Sequence, residues 1–385
     1  MKRATLLMGL FAMLVAVCGT CGTARAGDGT PIPGCFNPLY PPSLIPMWSI
    51  VTDTGTTECF VGLLPAAAST TVVLTPLIPV IVILDNSDGP PTVSDPTKPL
   101  HINPTKHPSW SAFDVTAASP IFATHDYTLG RTNLGTLQYG EMTERASFWK
   151  FPGLKLDKWF VELGLWPFSP AVTLEVPSGK WGLMNGEADG YWVDATIMGN
   201  FLVAQASKTP DVLPIFLTYN IGTYEGTIQK PSNLTLGDHE PYVAPNGLTS
   251  FYIWSSYMDP PNSRVDVLGL SHEVAEFLHD PFLTNHVRSY PAPGTFLNGK
   301  PWDPPYSYTQ CAELLEVGDA TADRKDSEIQ IPIDTSIMTY HVQNVATASW
   351  FMQASPSFSV NGWYTLRGKI DGEFGETAPL CIPPG

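Results

Sequence analysis

His272, Glu273 and Glu276 stand in the stretch Asp266–Pro281, DVLGLSHEVAEFLHDP. Two histidines, two glutamates and two aspartates gather there in a chain that is only 15% charged. On a helix of about 100° per residue, Glu276 falls roughly 40° from His272 and one turn further on. An imidazole nitrogen and a carboxylate oxygen can then reach one metal ion from the same face. Glu273, about 100° round the axis, stands beside them as a group able to take a proton from water. Val267, Leu270, Val274, Phe277 and Leu278 fall on the opposite side, so the helix is two-faced. His279 shares the polar face but lies roughly 10 Å along the axis from His272, too far to share an ion, and reads as a supporting or structural residue. The same pattern also describes an amphipathic helix with a solvated acidic face, and spacing alone leaves both readings open.

The elements that must hold such a helix are mostly strands and long loops. Thr71–Asn86, TVVLTPLIPVIVILDN, is β-branched and apolar, a buried strand or strand pair broken by proline. AVTLEVP, LPIFLTYNI, LTSFYIWSSYM, SIMTYHVQNV and SFSVNGWYTLRG read as strands, and FYIWSSYM is either core or an edge that pairs with an extended substrate. GEMTERASFWKF, GYWVDATIMGNFLVAQA and Val265–His279 read as helices. With 38 prolines and 32 glycines, the remainder forms long ordered loops, and the whole is expected to be α+β with a mixed sheet. Three segments are expected: 1–26 a signal, 27–118 a strand- and loop-rich N-terminal extension, and 119–385 the domain that carries the chemistry.

Lys2 and Arg3, the apolar run Leu6–Val17 and Ala24-Arg25-Ala26 form a Sec-type signal peptide cleaved near Ala26, which places the mature chain outside the cell or in the periplasm. The signal carries three positive charges and no negative ones, so its removal moves the formal net charge from −16 to −19. A pI near 4.8 argues against nucleic acid as partner. No later run approaches the roughly 20 apolar residues of a membrane span, so no stable membrane insertion is expected. Cys35, Cys59, Cys311 and Cys381 remain, an even number that favours disulfides; Cys35–Cys59 with Cys311–Cys381 is the simplest of three connectivities.

LSHEVAEFLHDP resembles the S-H-E-x-x-E-x-x-x-D-P motif of secreted bacterial zincin-like proteins and, more distantly, the G-H-E-L-A-E motif of plant EXORDIUM-like phosphate-induced proteins. Glu316-Val317-Gly318-Asp319 is similar to the E-[IV]-[GA]-D of the bacterial group. LQYGEMTERASFW (Leu137–Trp149) is similar to its T-Q-Y-x-[DE]…R-A-x-F-W block, with leucine where threonine is usual. Tyr340-His341-Val342-Gln343-Asn344 resembles its closing segment. The resemblance runs from about Ser119 to Phe351. It implies a zincin-like architecture with His272 and Glu276 as ligands of Zn²⁺, Glu273 as the base that activates the metal's water, and a polypeptide substrate. Asp319 or Glu316 would complete the metal site, with Asp319 favoured because Gly318 permits a tight turn. His341, Tyr340 and His239 are candidate donors to the oxyanion, and His341 is retained beside Glu273 as catalytic. Glutamate at the second ligand position, where H-E-x-x-H has histidine, adds negative charge and lowers zinc selectivity.

No G-x-S-x-G, P-loop or dinucleotide-binding glycine motif is present, and each mature cysteine has a disulfide partner available. The serious alternative is an exported non-enzymatic protein with a degenerate site. Glu273, Glu276, Asp280, Glu313, Glu316 and Asp319 would suit Ca²⁺ if they converge, and cell-wall glycan or a partner protein are the other ligands of that reading.

Overall fold

A computed structural model of the chain describes residues 32–35, 37–51, 55–67, 69–100, 108–151, 160–166, 169–184, 190–259, 264–292, 310–322, 327–333 and 338–368. The signal segment 1–26 lies outside the described residues, as do Cys381 and the side chain of Cys311, so the second disulfide pairing cannot be followed there. Among the described residues no helix is long and apolar enough to cross a membrane.

The fold is a mixed α+β arrangement, and the largest sheet among the described residues has six strands. Five of them, β1 (Leu77–Leu84), β2 (Val172–Val176), β3 (Ile215–Tyr219), β4 (Gly237–Val243) and β5 (Thr249–Tyr257), lie in the order β2-β1-β3-β5-β4, and Thr92–Ser94 pairs antiparallel with the end of β1. The first four in that order run parallel, and β4 returns antiparallel to β5 as the outer strand. Pro241 fits this edge position, because proline lacks the N–H that an inner strand must donate on both sides. The apolar run from Thr71 divides at Pro76 into Thr70–Thr75 and β1, and β1 lies inside the sheet between β2 and β3. The segment 27–118 therefore supplies an inner strand of the same sheet as the later residues.

Both faces of this sheet are covered, which explains why its strands read as continuous apolar runs. Ile215, Leu217, Phe251, Ile253 and Tyr257 face one core, Phe216, Tyr252 and Trp254 the other. Every residue of β5 is buried, so of the two readings of FYIWSSYM the core one holds, and β4 is the edge. Helix α2 (Ala195–Ala206) covers the second face with Met198, Leu202 and Ala206. Its predicted start at Gly190 moves: Tyr191–Asp194 is a strand, and the Asp194 carboxylate caps α2 by accepting from Thr196 and Ile197 N–H. SFSVNGWYTLRG holds only the 3₁₀ turn Val360–Gly362 with Asn361 left-handed at φ 56°, not a strand.

The first face is covered by α3 (Leu268–His279), and α1 (Tyr139–Ser147) packs against α3 in the same core. Helix α3 starts three residues later than its pattern suggests, because Asp266 sits at φ 49° and its carboxylate is engaged by Val267 N–H. Val267, Leu270, Val274, Phe277 and Leu278 are buried, each contributing about 2 kcal/mol. Gly140 lets α1 cross closely, since a Cβ there would stand 2.8 Å from Leu278 Cδ1. The last turn is held from outside the sheet: Asn285 accepts from Cys59 N–H and donates to the carbonyls of Cys59 and His279. Cys59, on the strand Thr57–Val61, is disulfide-bonded to Cys35 across a separation of 24 residues, a loop whose closure is worth on the order of 3 kcal/mol.

His279 is structural. Its ring is fully buried, stacked 5.9 Å from Phe148, with Nδ1–H donating to Ala275 O at 2.8 Å and Nε2 accepting the Ser147 hydroxyl at 3.3 Å. Burial pushes its pKa down to about 4, with the Ala275 carbonyl and Glu276 opposing. A histidine with a depressed folded-state pKa is charged more readily in the unfolded chain. Its contribution is complete above the ordinary value near 6.5 and is lost as pH falls towards 4, on the order of 3 kcal/mol in all. Denaturant unfolding of wild type and His279→Phe at about pH 7 and about pH 5 should therefore show a shallower pH dependence in the variant. Equal slopes would mean that His279 does not stay neutral in the fold.

Candidate metal centre on the buried polar face of the helix

The polar face of α3 is largely covered, with His272 partly open. Glu273 is 6% and Glu276 3% exposed, and Asp280 is fully buried. Three elements cover it: β4, the turn around Gly318, and the strand β6 (Met338–Gln343), whose Gln343 N–H donates to the Ser271 hydroxyl and whose side chain donates to Thr321. A wet amphipathic helix has no such cover, so that reading of the sequence fails.

On this face His272 Nε2 lies 3.1 Å from Glu276 Oε2 and 3.6 Å from Asp319 Oδ1. One donor atom from each of the three falls within 4.8 Å of the others. The two gaps bracket the roughly 3.3 Å between donors around a tetrahedral ion with bonds of about 2.0 Å. The turn that brings Asp319 is tied to the helix by Glu276 itself, whose Oε1 accepts from Gly318 N–H at 3.1 Å and Asp319 N–H at 3.0 Å. Gly318 is needed for space rather than for torsion. Its φ is an ordinary −80°, but a Cβ would stand 2.5 Å from His272 Nδ1, so the ring lies directly against the backbone. Glu316 does not join the converging group; it lies against Glu276, with Oε1 unpaired among the described residues.

The charges on this face are unbalanced. Among the described residues Glu273, Glu276, Asp280, Glu316, Asp319 and the neighbouring Asp238 are set against His239 and His272, with Arg264 acting on Asp319. Burial works against a charged His272, yet Glu276, Glu273 and Asp319 raise its pKa to about 10. Burial likewise opposes a charged Glu276, but the His272 imidazolium holds it at about 2. Burial and the Glu276 charge push Glu316 well above the carboxylate range. Buried anions in such excess must be neutralised by protons or by a cation.

Glu273 projects between β4 and His272. Its Oε2 lies 3.3 Å from His239 Nδ1 and its Oε1 4.0 Å from His272 Nε2. The other ring nitrogen of His239 faces the Asp280 carbonyl oxygen at 3.2 Å and so carries a proton, which places the His239–Glu273 contact within a proton-sharing pair. Burial opposes the charge on His239, but Glu273 raises its pKa to about 9. Both nitrogens are thus engaged and His239 is not available to an oxyanion. Tyr340 faces the core and donates to Val115 O. His341 lies beside the start of α3, its Nδ1–H on the buried Asp266 carboxylate at 2.7 Å, its Nε2 3.4 Å from Gln330 Nε2. Its polar contacts are with these residues rather than with the converging group, and it takes no part in the mechanism below.

No family model, curated protein or solved structure matches the chain.

Proposed function

We propose that the protein is an exported zinc-dependent hydrolase, acting on polypeptide, with a zincin-like arrangement of helix and sheet. The observation that carries this reading is the burial of the polar face of α3 together with the convergence of His272, Glu276 and Asp319. Three protein ligands leave a position open, as catalytic zinc sites do and structural ones do not. The Asp319 side chain is 48% and His272 18% exposed, so that position faces solvent. A nitrogen donor favours zinc over calcium, which takes oxygen ligands. The surplus of carboxylates is the one feature that favours calcium and a non-catalytic role. The Cys35–Cys59 disulfide agrees with export to an oxidising compartment.

Zinc held by these three residues would supply Lewis-acid polarisation of the scissile carbonyl. Glu273 takes a proton from the attacking water at Oε1, the oxygen turned towards His272, and returns it to the leaving nitrogen. Glu276 holds the Gly318–Asp319 turn in place while its other oxygen faces His272. The outer strand β4, with no strand partner on its far side among the described residues, offers main-chain groups to an extended peptide.

Elemental analysis of the mature protein after dialysis against trace zinc and calcium, with His272→Ala beside it, tests the metal directly. One zinc per chain that disappears in the variant is expected. Calcium bound regardless of His272 would support the structural role instead, and no metal at all would overturn the proposal.

A further inference from the structure

We propose that the outer strand β4 aims the water-activating carboxylate: His239 pins one oxygen of Glu273, and Gly237 opens the space into which the other is turned. This rests on the hydrolase reading above and assigns His239 as a positioning residue within it.

A glutamate on a helix has three side-chain torsions, and the last is broad, so nothing in Glu273 itself decides where its oxygens point. Both ends of the carboxylate are nevertheless assigned here. Oε2 meets His239 Nδ1 at 3.3 Å, and Oε1 is directed towards His272. His239 is in turn enclosed and held by its neighbours. It is 2% exposed, its Nε2–H donates to the Asp280 carbonyl at the end of α3, and its ring meets the edge of Phe277. The clamp therefore closes on the helix that carries Glu273: α3 presents the carboxylate, β4 grips it, and the end of α3 holds the grip.

Gly237 acts on the same group from the same side. Residues two apart on a strand share a face, and β4 pairs in unbroken register with β5 from Gly237↔Ser255 through His239↔Ile253. A Cβ at position 237 would stand 2.7 Å from both Cγ and Oε1 of Glu273. Contact with Cγ cannot be relieved by rotating the carboxylate alone, so the whole end of the side chain would have to move. The backbone of Gly237 is not left-handed, which makes alanine torsionally acceptable there and confines its effect to this contact.

The test compares wild type, His239→Phe, His239→Asn and Gly237→Ala for zinc content and for kcat and KM on a peptide substrate. One zinc per chain is expected in all four. In His239→Phe and Gly237→Ala kcat should fall about 100-fold, the scale of a misplacement near 1 Å, while KM stays within about threefold. His239→Asn should recover about tenfold of that loss, because its amide can offer an N–H where Nδ1 stood. If His239→Phe does not fold, Gly237→Ala decides. Unchanged kcat in a zinc-loaded Gly237→Ala or His239→Phe would overturn the proposal and leave the hydrolase reading standing. Loss of a metal equivalent in His239→Phe would also overturn it, making His239 a ligand alongside Glu273 and Glu276, whose donor atoms also converge with its own to within 4.8 Å. A wild type without zinc or hydrolysis would remove the hydrolase reading and this inference together.

Discussion

Glu276→Ala is expected to abolish stoichiometric metal binding, lowering affinity by more than the 10–100-fold that the loss of an outer partner typically costs. Glu276 does two jobs at once. Its Oε2 faces His272 Nε2 at 3.1 Å, and its Oε1 accepts the N–H groups of Gly318 and Asp319. Alanine removes a donor, releases the turn that presents Asp319, and leaves His272 without its nearest anion. Glu276→Gln separates these effects. The amide oxygen can still accept from Gly318 and Asp319, so the turn should stay docked while the anionic ligand is gone. Metal content and the thermal midpoint, measured with and without added zinc, should therefore diverge. In Glu276→Gln the metal-free midpoint stays near wild type and the rise on adding zinc is lost, whereas Glu276→Ala loses both. Full zinc occupancy in Glu276→Ala would show that α3 does not hold the metal.

Glu273→Gln should have the opposite profile: metal retained, hydrolysis reduced by at least the 10²–10⁴-fold that a positioned acid–base group contributes. The amide keeps the shape of the side chain and can still meet His239, but it cannot take a proton from water. The comparison is made on peptide hydrolysis with zinc content determined on the same preparations, so that loss of metal cannot pass for loss of the base. A kcat within a few-fold of wild type in zinc-loaded Glu273→Gln would remove Glu273 from the mechanism.

Much of α3 was legible in the sequence, because its chemistry is written at helical spacing within 16 residues. The three-residue error at its start arose at Asp266, where a left-handed backbone interrupts a pattern that periodicity alone would continue. The inner strands were legible as apolar runs, but their order was not. Pairing of Ile215–Leu217 with Leu77–Pro79 joins residues far apart in the chain, and no local pattern specifies it. That order is what makes β5 central and β4 the edge. Pro241 was the one local hint. The wetness of the polar face could not be read at all, since it depends on what β4 and the Gly318 turn do from 34 and 42 residues away. His239 belongs to the same class: its partner is named only by the fold. Gly318, read from the sequence as permitting a tight turn, does lie in one, but at an ordinary φ, and it is required instead for the space beside an imidazole ring.

The clasp that Asn285 makes on both main-chain groups of Cys59 ties the last turn of α3 to a strand that is itself covalently stapled to Cys35. Reduction of that bond would free the strand that grips the end of α3 while leaving the helix's own hydrogen bonds intact. With the export proposed above, oxidation becomes a maturation step, the last fastening around the acidic centre being made in the compartment of arrival.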